Sequence, residues 1–277
     1  MDHQDYLDWT YFGDGGLDKD EFERLQRLFS GVDVFVDVGA SHGVYTYHAL
    51  QHMRGGTIIS VEADPERFGI LEENARQWSK GSGIEVRCIM AAVSDHEDAG
   101  NGETMTFYTT GTQISGGLFP VEERSDEYEP IEVSIVTLDD IVPDEGRVLV
   151  KIDVEGGELR VLRGARKLIE SGRASFFVEL SWWGDRDRGT SVLSTLGFVR
   201  RSGLGIERRL RSDYLLTTEP DKTQRWMQQL KVLPPLLPRY VFGKVTPYSV
   251  RRKLIRRQNQ KRLAKAPRNY SRSEPRD

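Results

Sequence analysis

Hydrophobic positions along this chain fall into two rhythms. Short, nearly continuous apolar runs bounded by turn residues read as buried strands, and longer stretches with an apolar residue every three or four positions read as amphipathic helices. A first helix is expected over Asp18–Phe29, capped by Asp18, with Phe22, Leu25, Leu28 and Phe29 on one face and Gly31 after its end. The segment "VDVFVDVGASHGVYTYHAL" predicts a buried strand at Val34–Val38, a glycine-containing turn and a helix. A second strand is expected at Thr57–Val61, followed by a helix with Phe68, Leu71 and Ala75 on its apolar side, and "IEVRCIMAAVSD" predicts a third strand.

The rhythm then changes. "ETMTFYTT" and "IEVSIVTL" alternate or are β-branched, and the loop between them, Gly111 to Glu129, is rich in Gly, Ser and acids; this predicts an antiparallel insertion. "RVLVKID" is the next buried strand, with its helix from Gly157 to about Ser171. "ASFFVEL" predicts another strand, "TSVLSTLGF" a short helix, and two late strands are expected near Phe198–Arg201 and Asp213–Thr217. Strands alternating with helices predict an α/β fold, a mostly parallel Rossmann-like sheet covered on both faces, with the antiparallel insertion and a late antiparallel strand. The sheet pattern stops after Pro220, so residues 1–220 form the expected domain and residues 221–277 an expected basic tail, partly helical or disordered.

Charge sharpens this division. The net charge of −4 conceals 16 Lys/Arg against 3 Asp/Glu in residues 221–277, which leaves 23 basic and 40 acidic residues in the body. The only lysines of that body are Lys19, Lys80, Lys151 and Lys167. An acid-rich, lysine-poor surface stays hydrated in concentrated salt, which fits a halophilic source. The single cysteine, Cys88, excludes an internal disulfide and a Cys-based zinc site, and the histidines lack HxxxH or HxH spacing. No run of 18 apolar residues exists, and the acidic start "MDHQDYLDW" is not a secretory signal, so a cytoplasmic protein is expected.

Open parallel sheets bind ligands beyond the carboxyl ends of their strands, and three such ends here carry informative residues. In "VDVGASHG", Gly39 and Gly43 let the backbone pass close to a ligand, and Asp37 lies within the strand. The pattern is not GxGxxG, which argues against a pyrophosphate cradle. Glu62, at the end of the second strand, can accept hydrogen bonds from both hydroxyls of a ribose or cap the next helix. Read with "DVGASHG", it points to a cofactor with a ribose and a cationic amino-acid part. S-adenosylmethionine has both; NAD has the ribose but also a pyrophosphate. Asp153 and Glu155 stand at the mouth of the strand ending "VKIDVEGG", where a carboxylate can take a proton from an acceptor hydroxyl; Glu155 is equally a helix-capping acid.

Four pieces in order, "FVDVGASHGVYT", "VEADPERFGILEENA", "AAVSD" and "VTLDDI…VLVKIDVEGGELRVLRGA", resemble the FkbM-type methyltransferases, a subgroup of the class I S-adenosylmethionine-dependent enzymes. The resemblance spans roughly Val32 to Leu180. It departs from the family where Ser41 follows Ala40, since an asparagine is more usual there, although Ser41 still offers a hydroxyl. The resemblance implies that Asp37, Gly39, Ala40, Ser41 and Gly43 border the methionine part and ribose, that Glu62 holds the ribose hydroxyls, that the segment around Ala92 lies against the adenine, and that Asp153 sits beside the transferring methyl.

The acceptor is read from fewer residues. Trp182 and Trp183 in "ELSWWGDR" offer flat faces beside polar groups, which suit a sugar ring; a core tryptophan and a rim tryptophan are the alternative. With the resemblance, this implies O-methylation of a hydroxyl, or a carboxylate, of a glycan or glycolipid. An RNA methyltransferase using the tail as a nucleic-acid arm and a non-catalytic cofactor-binding protein are the competing classes; the acidic body argues against RNA. Asp153, Glu155 and Asp139 or Asp140 could offer oxygens to Mg²⁺, but their spacing specifies no metal site and none is assigned. The tail segments "RRKLIRR" and "KRLAK" suit a peripheral contact with anionic lipid at the inner membrane face.

Overall fold

The chain is seen in a computed structural model that describes residues 25–95, 104–109, 128–154, 156–180, 192–210 and 213–218. The expectations for Asp18, Phe22, Glu155, Trp182, Trp183 and the tail from residue 221 lie outside the described residues.

Strand β1 (Val34–Val38) is buried along its whole length, as a strand covered on both faces must be. Val34, Val36 and Val38 join one apolar cluster and Phe35 joins another, so the two faces of the sheet carry separate cores. Its neighbours are β2 (Thr57–Glu62) on one side and β7 (Val148–Ile152) on the other, both parallel to it. The full sheet has seven strands in the order β3-β2-β1-β7-β8-β10-β9, with β3 (Glu85–Met90) at one edge. β8 (Ala174–Glu179) is parallel to β7, whereas β10 (Asp213–Thr217) runs antiparallel to both β8 and β9 (Gly205–Leu210). This is the mostly parallel α/β sheet with a late antiparallel strand that the pattern predicts.

One face is covered by α1, described over residues 25–29, and by α2 (Val44–His52). Leu25, Phe29, Ala49 and Leu50 pack there on Phe35, Ile58, Leu149 and Phe177. The other face is covered by α5 (Glu158–Arg163), α6 (Arg166–Glu170) and α7 (Val192–Arg201), through Val161, Leu162, Leu168 and Val199. α3 (Pro65–Trp78) starts at Asp64, whose side chain accepts the backbone N–H groups of Glu66 and Arg67, and Pro65 fixes the first helical φ.

Three local expectations are corrected. The third strand divides at Ala91: β3 stays in the main sheet, while β4 (Ala92–Val93) pairs in parallel with β6 (Glu129–Val136) of the insertion. Within the insertion, β5 (Thr104–Thr109) runs antiparallel to β6, as the pattern predicts. The helix expected from Gly157 to Ser171 breaks at Gly164 and Ala165, where the Gly164 carbonyl accepts the Asp139 N–H instead of a helical partner; a Cβ at 164 would come within 2.3 Å of the Ser94 carbonyl oxygen. Its restart as α6 is capped by Asp139, which accepts the N–H groups of Lys167 and Leu168 at 2.9 Å each. Finally, the late strand expected near Phe198–Arg201 is helical. Thr195 and Val199 are both buried one turn apart, and Gly203, at φ 82°, turns the chain before β9 begins.

Candidate functional site

After β1 the chain fills one side of the sheet with β2 and β3, then returns to fill the other with β7 and β8. The carboxyl ends of β1 and β7 are therefore the switch point at which an open α/β sheet leaves a crevice. A cavity of about 110 Å³ opens there. Gly39 and Ser41 border it from β1, Glu62 and Ala63 from β2, and Asp153 and Val154 from β7. Ala91, Ala92, Val93 and Phe107 supply an apolar wall, and Arg67 closes one side.

The turn after β1 is held by backbone chemistry. Gly39 adopts φ 76° and nests under the chain leaving β7, where a Cβ would come 1.9 Å from the Asp153 carbonyl oxygen. The N–H groups of Gly39 and Ala40 both donate to the Val61 carbonyl. Ser41 is non-glycine yet sits at φ 50°, and its N–H donates to Glu62 Oε2 at 2.8 Å. Gly43, at φ 92°, packs under Leu71 and Trp78 of α3, leaving 2.9 Å for a Cβ against Leu71 Cδ1. Asn74 of the same helix donates from Nδ2 to the His42 carbonyl oxygen at 2.9 Å. The turn is thus clamped between β2, β7 and α3 before any ligand arrives.

Glu62 is almost wholly buried and is used twice: Oε2 accepts from Ser41 and Oε1 accepts the Asp64 N–H at 2.9 Å. Burial raises the pKa of its carboxyl, and these N–H donors partly offset that effect. A carboxylate has about four acceptor positions, so two remain for a ligand in the cavity. Asp64 continues the arrangement. Besides capping α3, it accepts a hydrogen bond from the Thr109 hydroxyl, which ties the insertion strand β5 to the end of β2.

Asp37 occupies a different place. It is fully buried on the α2 face, with Oδ2 accepting both the Thr46 N–H at 3.1 Å and the Thr46 hydroxyl at 2.9 Å. The Thr46 hydroxyl also meets Ser60 Oγ at 2.6 Å. Burial pushes the Asp37 carboxyl up to about 6, against the opposing pull of Lys151 and Thr46. Asp37 anchors the start of α2 and does not border the cavity, and neither do Ala40 and Gly43. Gly39, Ser41, Glu62, Ala92 and Asp153 are the sequence candidates brought together around it.

The strand register explains the division. Cys88, Ser60, Asp37, Lys151 and Phe177 form one lateral row across β3, β2, β1, β7 and β8. Side chains alternate along a strand, so two residues further along the same face come Glu62, Gly39 and Asp153. Gly39 has no side chain, and the Asp153 carbonyl oxygen fills the place where its Cβ would stand. Asp153 is about one-third exposed, and its Oδ2 lies 3.2 Å from Nζ of the buried Lys151. At the same mouth, the Gly156 N–H donates to Glu158 Oε1 at 2.8 Å, which closes the turn into α5.

Sequence reasoning did not single out Lys151, Thr46, Arg67, Asp64 or Phe107. For Lys151 a signal was present: a lysine inside an apolar strand of a body nearly devoid of lysine. Asp139 and Asp140, considered as metal oxygens, are engaged at helix starts instead. Asp139 starts α6, and Asp140 accepts the Thr137 hydroxyl at 2.7 Å within α4 (Leu138–Ile141). Among the described residues no group of three His, Cys, Asp or Glu side chains could hold a metal ion.

A crevice at the switch point, an acid at the end of β2 and an apolar wall beside it define an α/β domain built for a nucleoside-bearing cofactor. Residues 37–226 match the family described as the methyltransferase FkbM domain, and the chain belongs to that family of S-adenosylmethionine-dependent methyltransferases. It is 32% identical over 160 residues to 31-O-demethyl-FK506 methyltransferase FkbM of Streptomyces tacrolimicus, a match covering 48% of this chain and 59% of that protein. Among solved structures, methyltransferase FkbM from Methylobacillus flagellatus KT is 19% identical, with a TM-score of 0.41, over 66% of this chain and 42% of its own. The m1A22 tRNA methyltransferase TrmK of B. subtilis is 10% identical, with a TM-score of 0.44, over 90% of this chain and 88% of its own.

The residues present suit S-adenosylmethionine. Glu62 keeps acceptor positions for hydroxyl groups, and Ala92 and Phe107 offer an apolar wall to a flat base.

Among the described residues no helix is long and apolar enough to cross a membrane.

Proposed function

We propose that this protein is an O-methyltransferase acting on a hydroxyl of a glycan or glycolipid. The observation that carries the reading is Asp153: a carboxylate about one-third exposed, on a residue that borders the cavity. S-adenosylmethionine supplies an electrophilic methyl on a sulfonium, which becomes a neutral thioether when the methyl is lost. An acceptor hydroxyl that gains a methyl must lose its proton, and a carboxylate at that position can take it. The proton then resides on Asp153 and leaves to solvent through its exposed side. The cavity's other carboxyl, Glu62, is engaged by two backbone N–H groups and suits cofactor binding better than proton transfer.

The name of the Streptomyces tacrolimicus relative places its methyl on an oxygen, which supports oxygen as the acceptor atom here. The glycan part of the reading rests on Trp182 and Trp183 as a platform for a sugar ring, with Glu155 as a second acid at the strand mouth. The basic tail is assigned to anionic lipid, where it would concentrate the enzyme at a lipid-linked acceptor.

The test is transfer of a labelled methyl group from S-adenosylmethionine into separated glycolipid, glycoprotein and RNA fractions. Label in the glycolipid or glycoprotein fraction, sensitive to Asp153→Asn by roughly 10²–10⁴-fold, is expected. Label in RNA alone overturns the glycan assignment, and an Asp153→Asn variant with normal turnover overturns the role of Asp153.

A further inference from the structure

Lys151 is a lysine in the middle of the sheet, with only 2% of its side chain exposed. A bare ammonium there would be costly, so its surroundings must balance it. They are specific. Its register partner on β1 is Asp37, whose carboxyl feels its charge. The Tyr45 ring lies 4.5 Å from Nζ, and Asp153 Oδ2 lies at 3.2 Å. Lys151 thus stands between a buried carboxyl fixed by Thr46 and an exposed one that borders the cavity.

Asp153 has no comparable packing of its own. It follows the last residue of β7, its side chain is about one-third exposed, and its backbone N–H is held by the Val38 carbonyl. The backbone is therefore fixed, while the direction of the carboxyl depends on what grips it. Residues i and i+2 of an extended strand share a face, so Lys151 is the group placed to do so. It grips Oδ2 of a residue that borders the cavity.

We propose that Lys151 is a positioning residue, a buried cation that transmits the rigidity of the Asp37–Thr46 anchor to Asp153 and holds that carboxylate in register with the acceptor hydroxyl. The proposal rests on the reading of Asp153 as the proton acceptor. It assigns this buried lysine a part in turnover rather than in stability alone. Proton transfer and in-line attack tolerate little misplacement, since an error of about 1 Å costs on the order of 10²-fold in rate.

A double-mutant cycle on the full chain tests this, with Lys151→Met, Asp153→Asn and the two combined. The readouts are methyl transfer from labelled S-adenosylmethionine into a total glycolipid extract, and calorimetric binding of S-adenosylhomocysteine. Lys151→Met is expected to lower kcat roughly 10²-fold with the acceptor KM and the ligand affinity changed by less than about threefold. The combined variant is expected to be no slower than Asp153→Asn alone, because a positioning residue has nothing left to position. Losses that multiply, or a Lys151→Met variant with normal kcat, overturn the proposal. If Lys151→Met fails to fold, Lys151→Gln, which keeps a polar end without the charge, takes its place and the same criteria apply. A wild type that binds S-adenosylhomocysteine but methylates nothing in the extract overturns the glycolipid-hydroxyl reading itself. Wild-type turnover with multiplicative losses overturns the role of Lys151 and leaves that reading standing.

Discussion

Gly39 and Asp153, the residues that leave β1 and β7, touch through their backbones: a Cβ on residue 39 would lie 1.9 Å from the Asp153 carbonyl oxygen. The contact brings the two ends of the switch point together. Gly39→Ala is therefore expected to cost about 3 kcal/mol, from left-handed backbone strain plus steric displacement. Gly81 is the control. It has almost the same φ, 75° against 76°, but nothing within 4 Å of its Cβ position. Gly81→Ala should cost only about 1–2 kcal/mol. Denaturant melts of the two variants check this, and equal losses would show that the Asp153 contact yields without cost.

Glu62→Ala removes the acceptor for the Ser41 and Asp64 N–H groups together with the acceptor positions facing the cavity. S-adenosylmethionine binding is expected to weaken by roughly 1.5–3 kcal/mol, as for charge-assisted hydrogen bonds. Titration calorimetry measures it, and an unchanged affinity would remove Glu62 from the cofactor site.

Asp37 makes stability depend on pH in a direction opposite to that of most carboxylates. Its folded pKa, about 6, lies above its ordinary value of 3.8. The folded state therefore holds the proton more tightly than the unfolded chain does. The stability this contributes is fully present below pH 3.8 and is lost as pH rises through about 6. The span corresponds to about 3 kcal/mol. The difference in unfolding free energy between wild type and Asp37→Asn, measured from pH 4 to pH 7, should shift against the wild type by an amount of that order as pH rises. A difference that stays flat would show that Asp37 ionises without strain.

Asp139→Ala should cost about 1 kcal/mol in stability, the usual loss for an N-cap, with turnover of the folded enzyme unaffected. Thermal melts and methyl-transfer assays in the presence of Mg²⁺ check both halves. A selective loss of activity would show that Asp139 serves the site as well as α6.

Much of the sheet was legible because strands covered on both faces must be apolar almost throughout. Val34–Val38, Val148–Ile152 and Ala174–Glu179 could be read from composition and length alone. The breaks were not legible. α5 ends at Gly164 because its carbonyl is taken by the N–H of Asp139, which belongs to a separate element. No pattern within "VLRGARKLI" announces that contact. Likewise, "FVRR" has a strand's composition, but Val199 packs in the core one turn after the buried Thr195, and packing decides for helix.

The sequence by itself determined which residue types stand at the ends of β1, β2 and β7: a glycine turn, an acid and another acid, each following an apolar run. It also determined, through the two-residue period of a strand, that Lys151 and Asp153 share a face. Only the tertiary structure decided depth. Asp37 and Glu62 are both acids near strand ends, yet the lateral register puts Asp37 level with Ser60 and Lys151, beneath the start of α2, and leaves Glu62 one full period further out at the cavity. Register is a relation between strands far apart in the chain, set by how their side chains pack against shared helices. The same carboxyl group consequently became an anchor in one strand and a cavity wall in the next.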